Sequence, residues 1–327
     1  MRVLLTGGAG FIGSHLAESL LAGGHEVVCL DNFNDFYDPA IKKKNIETAL
    51  SQPGYTLVTG DILDRDLLDR LFEDGDGFQA VAHLAAYAGV RPSIERPEIY
   101  QRVNIEGTLN LLERCRIYQV PRFVFASSSS VYGGRTDVPF RESDDVMRPI
   151  SPYAASKVAG EALCHTYHHL FGIDVHVLRF FTVYGPRQRP EMAIHLFANH
   201  LRRGEPVRLF GDGRASRDYT CIDDITAGVV ASVERCSGFE VINLGGSRTT
   251  SLLRLVEVIG ERLGVEPVID HDEVQPGDVP ITYADVTRAR RLLGYEPKVD
   301  IETGIDRFCS WLERACPQGC EDGGGVT

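Results

Sequence analysis

Short apolar runs recur at Val3–Thr6, Val27–Leu30, Thr56–Thr59, Ala80–Leu84, Phe123–Ser127 and Val175–Phe180. Several are continuously apolar rather than alternating with polar residues, which is the pattern of strands covered on both faces of a parallel sheet. Helical stretches lie between them, for example over Ser14–Leu21, Leu67–Phe72, Ile105–Tyr118 and Tyr153–Phe171. This alternation predicts an α/β fold built on a doubly wound parallel sheet. After Tyr184 the rhythm loosens, and helical segments near 191–203, 251–263 and 285–293 are joined by loops rich in Gly, Asp and Pro. The expected organisation is a main domain over 1–180 and a smaller C-terminal α/β lobe over 181–315. Part of 220–245 is expected to return to the main sheet through Val241–Leu244, and 316–327 to form a flexible tail.

Composition narrows the partners. A hydrophobic fraction of 43% is ordinary for a globular chain, and no apolar run reaches the ~18 residues of a membrane span. The start, Met-Arg-Val-Leu-Leu-Thr, passes straight into a glycine-rich motif and reads as a first strand, not a signal peptide. The net charge of −12 argues against nucleic acid or an anionic membrane, while leaving room for an anionic small ligand at a locally basic site. Eight cysteines are scattered without a Cys-x-x-Cys, mostly in apolar or helical contexts. They read as reduced packing residues in a cytoplasmic compartment, with no metal site.

Thr6-Gly-Gly-Ala-Gly-Phe-Ile-Gly13 follows the first strand and opens a helix. Gly7, Gly10 and Gly13 allow a tight turn and let a pyrophosphate approach the N–H groups around Phe11 and Ile12 at the helix N-terminus. Asp31, eighteen residues after Gly13, ends the second strand next to Asn32. A carboxylate there accepts hydrogen bonds from both ribose hydroxyls and repels a 2′-phosphate, which favours NAD over NADP. Asp61 and Ile62 suit the adenine, and the small run Leu84-Ala85-Ala86 leaves room for a cofactor across the strand ends. Asn104 reads as a helix-positioning residue.

The run Ser151-Pro-Tyr-Ala-Ala-Ser-Lys157 adds chemistry. Tyrosine is a poor base, with a free pKa of roughly 10. A lysine one turn later shares its helix face and favours the phenolate, making a general base beside a hydride acceptor.

With these motifs and the serine cluster Ala126-Ser-Ser-Ser-Ser-Val-Tyr-Gly133, the chain resembles the extended short-chain dehydrogenase/reductase family over about residues 1–315, and within it the nucleotide-sugar epimerases. The resemblance implies a Rossmann domain with permanently bound NAD and a C-terminal lobe for a UDP-sugar. It also implies a homodimer through helices at 98–118 and 153–171. Catalysis falls to Ser128, Tyr153 and Lys157, with Tyr153 and Lys157 also touching the cofactor, and with Ser129 and Ser130 as substrate neighbours. Relatives that eliminate water or decarboxylate resemble Thr-Asp-Glu or Thr-Ser-Glu before the Val-Tyr-Gly; here only hydroxyls stand there.

The segment Arg179-Phe-Phe-Thr-Val-Tyr-Gly-Pro-Arg-Gln-Arg-Pro-Glu-Met192 resembles that of the UDP-glucuronate 4-epimerases, which implies that Thr182 and Arg189 hold a sugar carboxylate. A guanidinium grips a carboxylate bidentately, and a neutral hydroxymethyl group does not need it. Arg217 and Asp278 correspond to the diphosphate and ribose contacts, Gln275 replaces an arginine common in relatives, and Arg91 is a further substrate-side candidate. The expectation is a reversible 4-epimerisation of UDP-glucuronate to UDP-galacturonate through a 4-keto sugar. The alternatives are a UDP-glucose or UDP-N-acetylhexosamine 4-epimerase, a UDP-glucuronate decarboxylase, or a nucleotide-sensing protein, which would not need the Ser128, Tyr153 and Lys157 set.

Overall fold

The computed structural model describes residues 1–273 and 278–315. Its centre is a seven-stranded sheet of β1 (Arg2–Thr6), β2 (Glu26–Asp31), β3 (Tyr55–Thr59), β4 (Ala80–His83), β5 (Arg122–Ser128), β6 (Asp174–Phe180) and β7 (Phe239–Leu244). All pairings within it are parallel, and the spatial order is β3-β2-β1-β4-β5-β6-β7. The order reverses between β1 and β4, which leaves a crevice beyond their C-terminal ends, where ligands of this fold class bind.

The helices that shape the site are α1 (Phe11–Ala22), α2 (Arg65–Glu73), α3 (Gly107–Ile117), α4 (Pro152–Phe171), α5 (Ala193–Arg202), α6 (Ile222–Arg235), α7 (Leu252–Leu263), α8 (Thr287–Leu293) and α9 (Ile301–Ala315). One face of the sheet is closed by a core of Leu4, Val28, Leu68, Leu111, Phe123 and Cys164, drawn from the strands and from α2, α3 and α4. The other face packs on α1 and α6, and its core runs without a break into the lobe through Val207, Leu209, Leu255, Ile259 and Phe308. This shared core fixes the lobe over the strand ends. Among the described residues no helix is long and apolar enough to cross a membrane.

Local sequence explains why α4 starts where it does. Ser151 caps it by accepting from the Ala154 N–H at 3.1 Å, and Pro152 supplies a first-turn residue that needs no donor. Gly172, left-handed at φ +71°, ends it. Tyr153 is thereby placed in the first turn, pointing at the sheet's C-terminal edge.

The expected return of 241–244 to the sheet is seen as β7, which pairs with β6 from Phe239 onward. Helix α6 leads into it and packs on α1, so the chain leaves the main layer after β6 and re-enters it. Helix α9 is not among the helical segments expected from the sequence, although its buried Ile305, Phe308, Cys309 and Leu312 stand at helical spacing. The segment expected to form a tail, 316–327, lies outside the described residues.

Candidate active site

One cavity of about 690 Å³ opens over the strand ends between the sheet and the lobe. Every site residue expected from the sequence lines it, from Gly7 in the first loop to Asp278 in the lobe.

On the β1–β2 side the cavity is shaped for a dinucleotide. Gly7 has φ +72°, and a Cβ there would stand 2.7 Å from the Ala85 nitrogen; at Gly13 a Cβ would meet the Gly7 carbonyl at 2.2 Å. The loop therefore packs against both the end of β4 and the helix, as only glycine permits. Helix α1 has Gly10 as its N-cap residue and no side-chain cap, so its first N–H groups, at the cavity wall, are available to a phosphate. Asp31 accepts from Ala9 N (3.0 Å) and Phe33 N (2.9 Å), which leaves half of its four acceptor sites for ribose hydroxyls. Asn32 donates to Asp61 Oδ2 at 2.8 Å, tying the ends of β2 and β3 together on the adenine side. These features fit NAD.

Tyr153, Lys157 and Ser128 meet at the cavity floor. Burial pushes the Tyr153 hydroxyl above its ordinary value, while the Ser128 hydroxyl and, more weakly, the Arg189 guanidinium pull it back. Lys157 is buried; its ammonium donates to the Ala126 carbonyl at 2.7 Å and lies 5.9 Å from the Tyr153 ring centroid. Burial lowers the Lys157 pKa to about 8, opposed chiefly by Glu161. The groups of this chain that draw Tyr153 toward the phenolate are thus Ser128 and Arg189, where the sequence suggested Lys157. Ser128 also accepts from Ser130 N at 3.2 Å, folding the serine run into one tight turn. The Ser130 hydroxyl is buried at the cavity wall with no hydrogen-bond partner among the described residues.

The lobe closes the other side. Short strands Thr182–Tyr184 and Tyr219–Cys221 pair in parallel, and Ser216–Arg217 pairs with Thr250–Ser251, which brings Thr182 and Arg217 to the same wall. The Arg189 guanidinium stands 5.5 Å over the Phe36 ring and pairs with Glu191 at 3.0 Å. Arg187, two residues before it, turns the other way. Its left-handed backbone (φ 65°) sends the side chain to Glu18 on α1 at 2.8 Å. Arg91 and Asp278 pair with each other at 3.1 Å across the mouth, with Arg91 4.4 Å above Phe210. Gln275 lies outside the described residues.

The sequence reading missed the segment after Asp31. Phe36, Tyr37 and Lys42 line the cavity, with Lys42 Nζ donating to the Asn34 carbonyl at 2.8 Å and to Asn34 Oδ1 at 2.9 Å. The available signal was an aromatic pair and a lysine soon after the acid that ends β2. Glu191 and Tyr87 were also missed. Asn104 does not line the cavity: from a π-helical turn (Gln101–Glu106) it clamps Tyr87 through both backbone groups and donates to Ser156 Oγ at 2.9 Å.

Residues 3–245 match the NAD dependent epimerase/dehydratase family. The chain is similar to a UDP-glucuronate 4-epimerase of Thermodesulfobacterium geofontis, 42% identical over 309 residues, covering 94% of this chain and 95% of that protein. Among solved structures it is similar to the UDP-glucuronic acid 4-epimerase of Bacillus cereus in complex with UDP-glucuronic acid and NAD. That likeness has a TM-score of 0.90 and 36% identity, and covers 96% of this chain and 100% of the other. It is also similar to the UDP-glucose 4-epimerase of Thermotoga maritima with UDP-glucose, with a TM-score of 0.88 and 33% identity, covering 96% and 99%.

Proposed function

The chain belongs to the NAD dependent epimerase/dehydratase family, and we propose that within it the protein interconverts UDP-glucuronate and UDP-galacturonate by inversion at C4. It is an NAD-dependent epimerase of UDP-sugars. The observation that carries the finer reading is Arg189, a cation in the cavity close enough to Tyr153 to bias its ionisation. A base acting on the C4 hydroxyl lies two carbons from C6, so a nearby guanidinium suits a C6 carboxylate.

NAD, when bound, would supply the acceptor and donor for the C4 hydride. Gly7, Gly10, Gly13 and Asp31 hold it, with Phe11, Ile12, Asn32, Asp61, Ile62 and the Leu84–Ala86 run as its remaining contacts. Tyr153 removes the 4-hydroxyl proton, Ser128 orients the oxygen, and Lys157 supplies positive charge beside them. Ser129, Ser130 and Arg91 face the substrate, Arg217 the diphosphate and Asp278 the uridine ribose. The 4-keto sugar is a β-keto acid, which loses CO₂ when its C5–C6 bond stands perpendicular to the ketone plane. Thr182 and Arg189 fix the carboxylate and deny that geometry, and the serine run offers no acid or base for elimination. The substrate side is the lobe over 181–315, and the protein works as a homodimer through its helices at 98–118 and 153–171.

A neutral UDP-hexose is the second reading, favoured by one observation: Glu191 already balances Arg189. The test is incubation with UDP-glucuronate without added cofactor, followed by product mass and anomeric NMR. UDP-galacturonate at unchanged mass is expected. Loss of 44 mass units, the mass of CO₂, would replace epimerase with decarboxylase. Turnover of UDP-glucose alone would leave the catalytic set standing and remove the carboxylate assignment.

A further inference from the structure

Helix α4 meets the last residues of β5 at three successive positions. Tyr153 faces Ser128, Lys157 donates to the Ala126 carbonyl at 2.7 Å, and Glu161 accepts from the Ser127 hydroxyl at 2.5 Å. Tyr153, Lys157 and Glu161 follow at intervals of four, so they share one helix face. Glu161 is held from behind by Arg179 of β6, whose Nε and Nη2 reach its two oxygens at 3.0 and 2.8 Å. The remaining Arg179 nitrogen donates to the Tyr132 hydroxyl at 3.0 Å, and that hydroxyl donates to Asn243 of β7 at 2.6 Å. The ion pair is nearly sealed from solvent, with side-chain exposures of 4% and 9%.

A buried ion pair is a poor source of stability, because the desolvation of both charges offsets their attraction and an apolar pair of similar volume serves as well. Its geometry here has another use. Bidentate pairing leaves the Glu161 carboxylate no rotational freedom, and the Ser127 hydroxyl bound to it is the neighbour of Ser128. Resting on the assignment of Ser128, Tyr153 and Lys157 above, we propose that Glu161, braced by Arg179, is a positioning residue. It fixes the end of β5 so that Ser128 stays opposite Tyr153, and it keeps a negative charge one turn from the Lys157 ammonium.

The other titratable groups around Lys157 do not supply that charge. Burial holds the Cys164 thiol well above its ordinary value and the His83 imidazole down at about 3, so both are neutral. Around Tyr153 stand Tyr100, itself raised to about 12 by burial, and the Arg189 guanidinium. Without Glu161 the Lys157 ammonium loses its strongest support, and Ser128, the hydroxyl that draws Tyr153 toward the phenolate, loses its brace.

The test compares wild type, Glu161→Gln and Ser127→Ala, each as the NAD-loaded protein. Tyrosinate absorbance against the matching Tyr153→Phe protein gives the Tyr153 titration without any substrate. Glu161→Gln is expected to move that titration up by about one pH unit and to lower kcat at neutral pH about tenfold, since one unit removes nine-tenths of the phenolate. Ser127→Ala keeps the ion pair but frees the end of β5, so it should move the titration up as well, by less, and lower kcat roughly fivefold at unchanged KM by loosening Ser128. An unmoved titration and unchanged kcat in folded Glu161→Gln overturn the proposal. If that variant does not fold, a wild-type kcat in Ser127→Ala overturns it. A change in melting temperature alone, in either variant, reduces the pair to a structural brace. Turnover is read on whichever UDP-sugar the wild type accepts, so failure on UDP-glucuronate counts only against the substrate assignment.

Discussion

Arg189 Nε lies 3.0 Å from Glu191 Oε1, so the guanidinium proposed for the sugar carboxylate already has a carboxylate partner two residues along the chain. Both side chains are partly exposed, at 21% and 44%, and such pairs are worth about 1 kcal/mol or less. A substrate carboxylate can therefore displace Glu191 at little cost. Glu191→Gln should lower KM for UDP-glucuronate a few-fold and leave a neutral UDP-hexose unaffected. Arg189→Ala should raise it about 10–100-fold, the worth of a charge-assisted contact, and raise the share of decarboxylated product. Unchanged KM and product ratio in both variants would remove Arg189 from carboxylate binding.

Tyr153→Phe should cost about 10²–10⁴-fold in kcat while NAD stays bound, because it removes the base and little else. In the wild type, burial sets Tyr153 above its ordinary value, so kcat should climb with pH above neutrality and level off once the phenolate predominates. A flat profile between about pH 6 and 9 would mean that another group takes the proton.

Asp31 joins two tasks, because its oxygens anchor Ala9 of the glycine loop and Phe33 while leaving sites for ribose. Asp31→Ala should release NAD during gel filtration and lower the melting temperature of the protein. Retention of cofactor, read from the absorbance of the eluted protein at the nucleotide band, would contradict the assignment.

Stability should fall in alkali. Burial raises the thiols of Cys29, Cys236 and Cys309 to about 12 and that of Cys221 to about 11, against roughly 8.5 for a free thiol. The folded values lie above the unfolded ones, so this stability is fully present below about pH 8.5 and is lost above it, where only the unfolded chain releases these protons. Lys157 acts oppositely: its folded value of about 8 lies below the unfolded one of roughly 10.4, so the protein gains from it as pH rises between them. Burial lowers Lys42 as well and raises Cys115 and Cys164, so two lysines stand against six thiols. The melting temperature should therefore drop between about pH 8.5 and 10.5, and a constant value there would show that these thiols are not buried.

The sheet and the cofactor side were legible in the sequence because their signals are local. Continuous apolar runs mark the central strands, and Gly7, Gly10, Gly13 and Asp31 stand at the separations a strand–turn–helix imposes. The helical face of Tyr153 and Lys157 follows from the same arithmetic, and Glu161 stands one further turn along it. Helix α9 carried a readable pattern too, in Ile305, Phe308, Cys309 and Leu312.

What the tertiary structure alone decided are the pairings between distant segments. Nothing in the run from Arg187 to Glu191 tells that Arg187 turns to Glu18 on α1 while Arg189 turns into the cavity above Phe36. Nor does sequence join Arg91 to Asp278, or Glu161 to Arg179 and Ser127. Local propensity and periodicity are properties of neighbours along the chain. Where a charge rests, and which groups raise or lower its neighbours' ionisation, depends on distances and burial that exist only once β5, β6, α4 and the lobe have packed together.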